Sequence, residues 1–462
     1  MNIIIMEAPK GKMNMSQIQA VNKISYSLPS NLSVVERRTN KVNYADQNTY
    51  VSTSGSEVVI RLQASTDYVY GPNCYLAMDI NVDAAANGNP IGFVNNTAMS
   101  LFSRVLYEDR SGAELERNSS VGRYVAQVQP LHWSKEYISN GVANAGQLFS
   151  GNQAYAAAVP ADNDYLFNGT TANYDLKASP LTVIIPLRWF LGVFNNETLI
   201  PSMLVSGSLI RLQLARIGDA LQNLSGAGSD ATSYQISNAR VVLDSLSLSP
   251  VVQKNLMEQS QSGGGLDYTY ETVYHQSASP NTNSSFNLQI NKAVSRCQKL
   301  YWSSRAETTP ADFEHDNLGT CKINVSQLDY RLGDMFFPQK VISVNGDPTK
   351  NGGELYENTL QSIHRMKTNI DPPSVSKNEF LNSGEVISAV AADNDNNGKV
   401  VHCQSFEMSS ALEFSGLAVN NSRTLEARIN FTGTQDAPQV IDAWICYLKL
   451  AKCNQLRAII KE

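Results

Sequence analysis

Only one run in this 462-residue chain has the spacing of a metal site: Asp393-Asn394-Asp395-Asn396-Asn397-Gly398. Oxygen-bearing side chains at alternate positions (Asp393, Asp395 and Asn397), then a glycine allowing a sharp turn, reproduce the first half of a calcium-binding loop. The twelfth position of such a loop supplies a bidentate glutamate, and here it is Gln404. Strand-like sequence flanks the run where helices should, so an ordinary hairpin loop is expected, with these three residues only a calcium-like candidate. Glu314-His315-Asp316 sets two acids around an imidazole, but adjacent side chains diverge and the run suits a solvated loop. His132, His275, His315, His364 and His402 are dispersed and lack the partners a catalytic group needs. No GxSxG, HExxH, P-loop or strand-to-helix GxGxxG pattern occurs. Neither catalysis nor a cofactor is expected.

Cys74, Cys297, Cys321, Cys403, Cys446 and Cys453 form no CxxC pair and no zinc-site spacing, which favours buried free thiols. Cys446 and Cys453 would face opposite ways in one strand, about 23 Å apart along its rise. Arg37, Arg38 and Lys41 are the densest basic cluster near the start, too small for a nucleic-acid tail and expected in a solvated loop. A net charge of -6 gives no basic field, so sequence-specific nucleic-acid binding is not expected.

The elements around these residues read as β. Hydrophobic residues make up 42% and charged ones only 17%, so polarity rests on Asn, Ser, Thr, Gln and Gly, which suit turns and packed surfaces. The length suits two domains. Val58–Leu62, Cys74–Val82, Met99–Leu106, Leu209–Leu214 and Tyr234–Ser249 are expected strands of a first half. A helix carrying Val121, Tyr124, Val125 and Val128 follows a cap at Asn118-Ser119-Ser120 and should end at Pro130. Residues 251–261 read as an interdomain helix and 262–265 as a glycine hinge. Leu266–His275, Ser285–Asn291, Cys297–Ser304, Lys322–Asp334, Glu385–Val390, Val400–Met408, Thr424–Phe431 and Val440–Leu450 repeat the plan, with one helix facing inward through Leu355, Thr359, Ile363 and Met366. Strands so spaced, with few helices, suit antiparallel sandwiches. Trp189 and Trp444 are expected in the core. The order of charge and apolarity at the N-terminus is wrong for a secretory leader, and no run of about 18 apolar residues occurs, so a soluble protein folded inside the cell is expected.

Several phrases, in order, resemble major capsid proteins of the double jelly-roll lineage, found in polinton-like viruses, virophages, large eukaryotic DNA viruses and membrane-containing icosahedral phages. They are Val42-Asn43-Tyr44-Ala45 with Val59–Leu62 and Tyr75–Ile80; Ile185-Pro186-Leu187, Leu191-Gly192, Pro201 and Leu209–Leu214; Leu328–Asp334 with Phe337-Pro338; and Ser415-Gly416-Leu417 with Leu425–Phe431. The resemblance implies an all-β chain of two consecutive eight-stranded antiparallel jelly-roll sandwiches, each with a short inserted helix. The division would be an N-terminal arm (1–50), a first jelly roll (51–250), a helix and hinge (251–265), and a second jelly roll with a C-terminal tail (266–462). It also implies a virion capsid protein assembled inside the host cell, with homotrimeric pseudo-hexagonal capsomers building an icosahedral shell. Implied partners are other copies, penton and minor or cement proteins, and an internal membrane touched by the arm. The alternatives are a two-domain viral spike or carbohydrate-binding protein, which needs an exposed aromatic platform, and an enzyme on a jelly-roll scaffold. Arg188, placed at a wall between subunits, would make Arg188→Glu weaken trimers more than it unfolds the chain.

Overall fold

The computed structural model describes residues 35–52, 56–84, 91–93, 97–134, 137, 181–223, 231–261, 265–279, 282–306, 325–345, 351–364, 380, 401–406, 416–420, 423–431, 439–453 and 458–461. Before the linker helix Pro250–Gln261 come β1 (Val35–Tyr44), β2 (Thr49–Val51), β3 (Glu57–Arg61), β4 (Tyr68–Val69), β5 (Tyr75–Ala84), β6 (Ile91–Phe93), β7 (Phe102–Glu108), β8 (Glu114–Ser119), β9 (Leu181–Pro186), β10 (Leu209–Leu214), β11 (Leu221–Asn223) and β12 (Ala231–Leu248). After it come β13 (Leu266–Ser277), β14 (Ser285–Ile290), β15 (Val294–Ala306), β16 (Val325–Leu332), β17 (Met335–Ser343), β18 (His402–Ser405), β19 (Leu417–Val419), β20 (Leu425–Phe431), β21 (Gln439–Cys453) and β22 (Ala458–Lys461).

Alternation sets the strand faces. In β10 Ile210, Leu212 and Leu214 are buried and the residues between them are half-exposed; β14 and β20 follow the same rule. β21 differs, with Val440 to Tyr447 all buried, as befits a central strand covered on both faces.

The sheets are β1-β12-β5-β9 over β3-β10-β7-β8 in the first half, and β13-β21-β15-β18 over β14-β20-β16-β17 in the second. Numbering the eight principal strands of each half in chain order, both halves read 1-8-3-6 over 2-7-4-5, all pairs antiparallel. That order is a double Greek key, the jelly roll. Buried residues of both halves form one contiguous hydrophobic cluster.

Several local expectations are corrected. Residues 35–50 were expected in an arm, yet 35–44 form β1, hydrogen-bonded along β12, and residues 49–51 form β2. The basic cluster is therefore on a strand and paired: Arg38 binds Asp244 bidentately at 2.8 and 2.5 Å, and Lys41 reaches Asp67 at 2.7 Å. The expected cap at Ser120 makes no side-chain hydrogen bond, because its backbone is left-handed (φ 61°). Pro130 does not end the helical run but opens its last 3-10 turn, Gln129–His132, where a missing N–H leaves no bond unmade. The strand expected from Met99 begins at Phe102, after a 3-10 turn. The helix Gly353–Ser362 buries Leu355 and Thr359 as expected. The strand expected at 385–390 and the triplet at 314–316 lie outside the described residues.

Candidate functional site

Two surfaces stand out: the seam where the sandwiches meet, and the outer strand edges the seam leaves open. The seam sets β8, an end strand of the first sandwich, beside β13, an end strand of the second.

Side chains of the second sandwich close the β8 edge. The Tyr270 hydroxyl and the Lys449 ammonium donate to the Leu115 carbonyl at 2.8 and 3.3 Å. Glu116, 2% exposed, accepts from the backbone N–H of Gly192 (2.8 Å) and Val193 (3.2 Å) and from the Thr272 hydroxyl (3.1 Å). Burial pushes its carboxyl up to about 7, against the pull of those donors and of Lys449. Tyr268 donates to the Val193 carbonyl at 2.7 Å, and Asn196 donates to that of Thr269 at 2.8 Å. The approach is so close that a Cβ on Gly192 would lie 1.6 Å from the Glu271 carbonyl oxygen. Only glycine fits there.

A second anchor is Asp442, fully buried on β21. It takes Arg123 of the first sandwich at 2.6 Å, Arg305 at 2.9 Å, His275 at 3.0 Å and the Ser277 hydroxyl at 2.5 Å. Burial pushes this carboxyl up, but Arg123, His275 and Arg305 outweigh it and hold it well below the usual range. Trp444 packs on Tyr124 across the seam, and His132 meets the Tyr301 hydroxyl at 2.9 Å. A cleft of about 430 Å³ opens beside these contacts, and Arg188 lines it with Trp133, Trp189, Glu271 and Lys299. Arg188 donates to the Tyr137 hydroxyl at 3.3 Å, and the cleft it lines is walled by residues of both sandwiches of one chain.

Of the end strands outside the seam (β1, β3, β9, β14, β17 and β18), β1 and β17 stand out. Among the described residues eight large hydrophobics are exposed, and five lie on these two strands: Val35 and Tyr44 on β1, Met335, Phe336 and Val341 on β17.

The calcium-like candidates Asp393, Asp395 and Asn397 lie outside the described residues. Among the described residues no cluster of His, Cys, Asp or Glu could hold a metal, and no helix is long and apolar enough to cross a membrane. Cys74, Cys297, Cys403, Cys446 and Cys453 are buried, as expected, and Trp189 and Trp444 are core residues. Sequence reasoning missed Glu116 and Asp442. The latter had a signal: a lone acid inside the apolar run Val440–Leu450 implies a buried, paired charge.

No family model and no curated protein sequence matches the chain. Solved structures do. A chain of the 3.5 Å cryo-EM structure of the Sputnik virophage superposes with a TM-score of 0.62 at 12% identity, over 100% of this chain and 93% of its own. The Faustovirus major capsid protein gives 0.58 at 7% identity, over 95% and 94%. PBCV-1 VP54, fitted into a reconstruction of the virophage Sputnik, gives 0.52 at 13% identity, over 93% and 98%. The chain has the double jelly-roll fold of viral major capsid proteins.

Proposed function

We propose that this chain is a viral major capsid protein whose homotrimers are the pseudo-hexagonal capsomers of an icosahedral shell. One observation carries the reading: the strands topologically equivalent to the two that form the seam carry most of the exposed large hydrophobics among the described residues. The seam joins strand 5 of the first sandwich (β8) to strand 1 of the second (β13). Strand 5 of the second is β17 and strand 1 of the first is β1. Repeating the seam between chains sets β17 of one copy against β1 of the next. That contact is heterologous, so it closes into a ring when the rotation allows, and six sandwiches in a ring are three chains. The fold shared with the Faustovirus capsid protein supports this reading.

The domain division belongs to the proposal, with the first sandwich beginning at β1 rather than at residue 51. So do the finer partners: neighbouring trimers, penton and minor or cement proteins, and an internal membrane reached by residues before β1. The carbohydrate-binding alternative needs an exposed aromatic platform, and all four tryptophans (Trp133, Trp189, Trp302, Trp444) are buried.

Light scattering with negative-stain microscopy tests the proposal. Trimers of hexagonal outline are expected; a strict monomer with glycan affinity overturns it. Phe336→Asp should shift stability by no more than about 0.5 kcal/mol yet weaken trimers at least ~100-fold. Unaltered trimers in this variant would place β17 on free surface.

A further inference from the structure

His402 lies on β18, the outermost strand of its sheet, and is 2% exposed. Neither ring nitrogen has a hydrogen-bond partner among the described residues. The ring stacks on Trp302 of β15, centroids 4.4 Å apart and planes 22° apart, and meets Phe380 edge-on at 5.6 Å. The Trp302 indole N–H is already committed, donating to the Tyr330 hydroxyl of β16 at 2.7 Å. On the other side the helix Gly353–Ser362 covers β18. Its Thr359 hydroxyl accepts from the Cys403 N–H at 3.4 Å, its Asn358 amide meets Gln404 at 3.4 Å, and its Tyr356 meets Phe380 at 5.3 Å. The elements packed around the imidazole bring titratable Tyr330 from β16, Tyr356 from the helix and Cys403 from its own strand. Among the described residues no charged partner acts on it: burial pushes it down to about 3.

We propose that His402 is an acid-sensitive latch, whose protonation releases β18 and the helix Gly353–Ser362 from β15 while the first sandwich stays closed. An imidazolium in this stack would have two N–H donors, no acceptor and no counter-charge, and must reach water. The element able to move is the edge strand. β18 is held to β15 over only four residue pairs, Lys299–Trp302 with His402–Ser405. Its counterpart in the first sandwich, β9, turns Val183 and Ile185 inward, and neither titrates.

The ring's folded pKa lies below its ordinary 6.5, so the open state takes the proton first. The latch is fully closed above pH 6.5 and is lost as pH falls: opening becomes about tenfold more favourable per unit below that value, roughly 30-fold by pH 5. The inference concerns one sandwich and stands whether or not the chain forms trimers.

Hydrogen exchange of the full chain at pH 7.5 and 5.0, corrected for intrinsic rates, tests it. Protection at residues 353–362 and 402–405 should fall about 30-fold at pH 5.0, with residues 181–186 unchanged. His402→Phe, which keeps a stacked ring, or His402→Leu should abolish the fall. Equal protection at both pH values in the natural protein, or the same fall in a variant, overturns the proposal. Should neither variant fold, the imidazole resonances of the natural protein decide: a titration near 6.5 in the folded state overturns it, and a folded-state ring still neutral at pH 5.5 supports it.

Discussion

The two sandwiches are built on one strand order but meet their surroundings differently at strand 5. In the first, β8 is covered, and its Leu115 carbonyl and Glu116 side chain are bound by the other sandwich and the Gly192 turn. In the second, β17 lies open with Met335 and Phe336 bare. An open edge invites pairing, and β17 carries two features that blunt it, Pro338 without an N–H and Lys340 with a charge. The same topology therefore yields a sealed joint at one edge and an exposed apolar edge at the other. The difference is made by side chains rather than by backbone plan.

The largest expected effect breaks the sealed joint. Asp442→Ala removes the acid shared by Arg123 and Arg305 and should cost about 3–5 kcal/mol in denaturant unfolding. Little loss would mean that the seam does not depend on that anchor. Gly192→Ala should cost about 3 kcal/mol, since Glu271 must retreat from the new methyl. A variant as stable as the parent would show that the seam can slide. Glu116 should give the joint a pH sense opposite to that of His402. Its folded pKa is raised from 4.5 to about 7, so its contribution is full below 4.5 and is lost as pH rises through 7. Urea titrations should show Glu116→Gln removing a slope of up to about 1.4 kcal/mol per unit within that window; an unchanged slope would place the proton elsewhere. Lys41→Ala, at the partly exposed pair with Asp67, should cost no more than about 1 kcal/mol by thermal melting. A larger loss would make β1 a structural edge rather than a docking one.

Much of this was legible in the sequence because alternation is a local property. Phe286, Leu288 and Ile290 announce β14, and the paired arrangement of strands and helices announces two sandwiches. What escaped depends on distant partners. Val35–Tyr44 has no apolar alternation, because both of its faces are largely exposed or half-buried and its order comes from hydrogen bonds to β12. Glu116 looks like any surface acid until the Gly192 turn and Thr272 arrive. The fold was readable from periodicity and the family-like phrases; the seam was not, since it exists only once both halves are folded.

The capping of Leu115 by Lys449 spans 334 residues of chain. At about 5–20 residues per second of synthesis, β8 must wait on the order of half a minute for the last part of its cover. During that time the nascent first half leaves the ribosome with an unsealed edge strand, open to pairing with the same strand on a neighbouring nascent chain. The second half, once made, closes that edge through Tyr270 and Lys449.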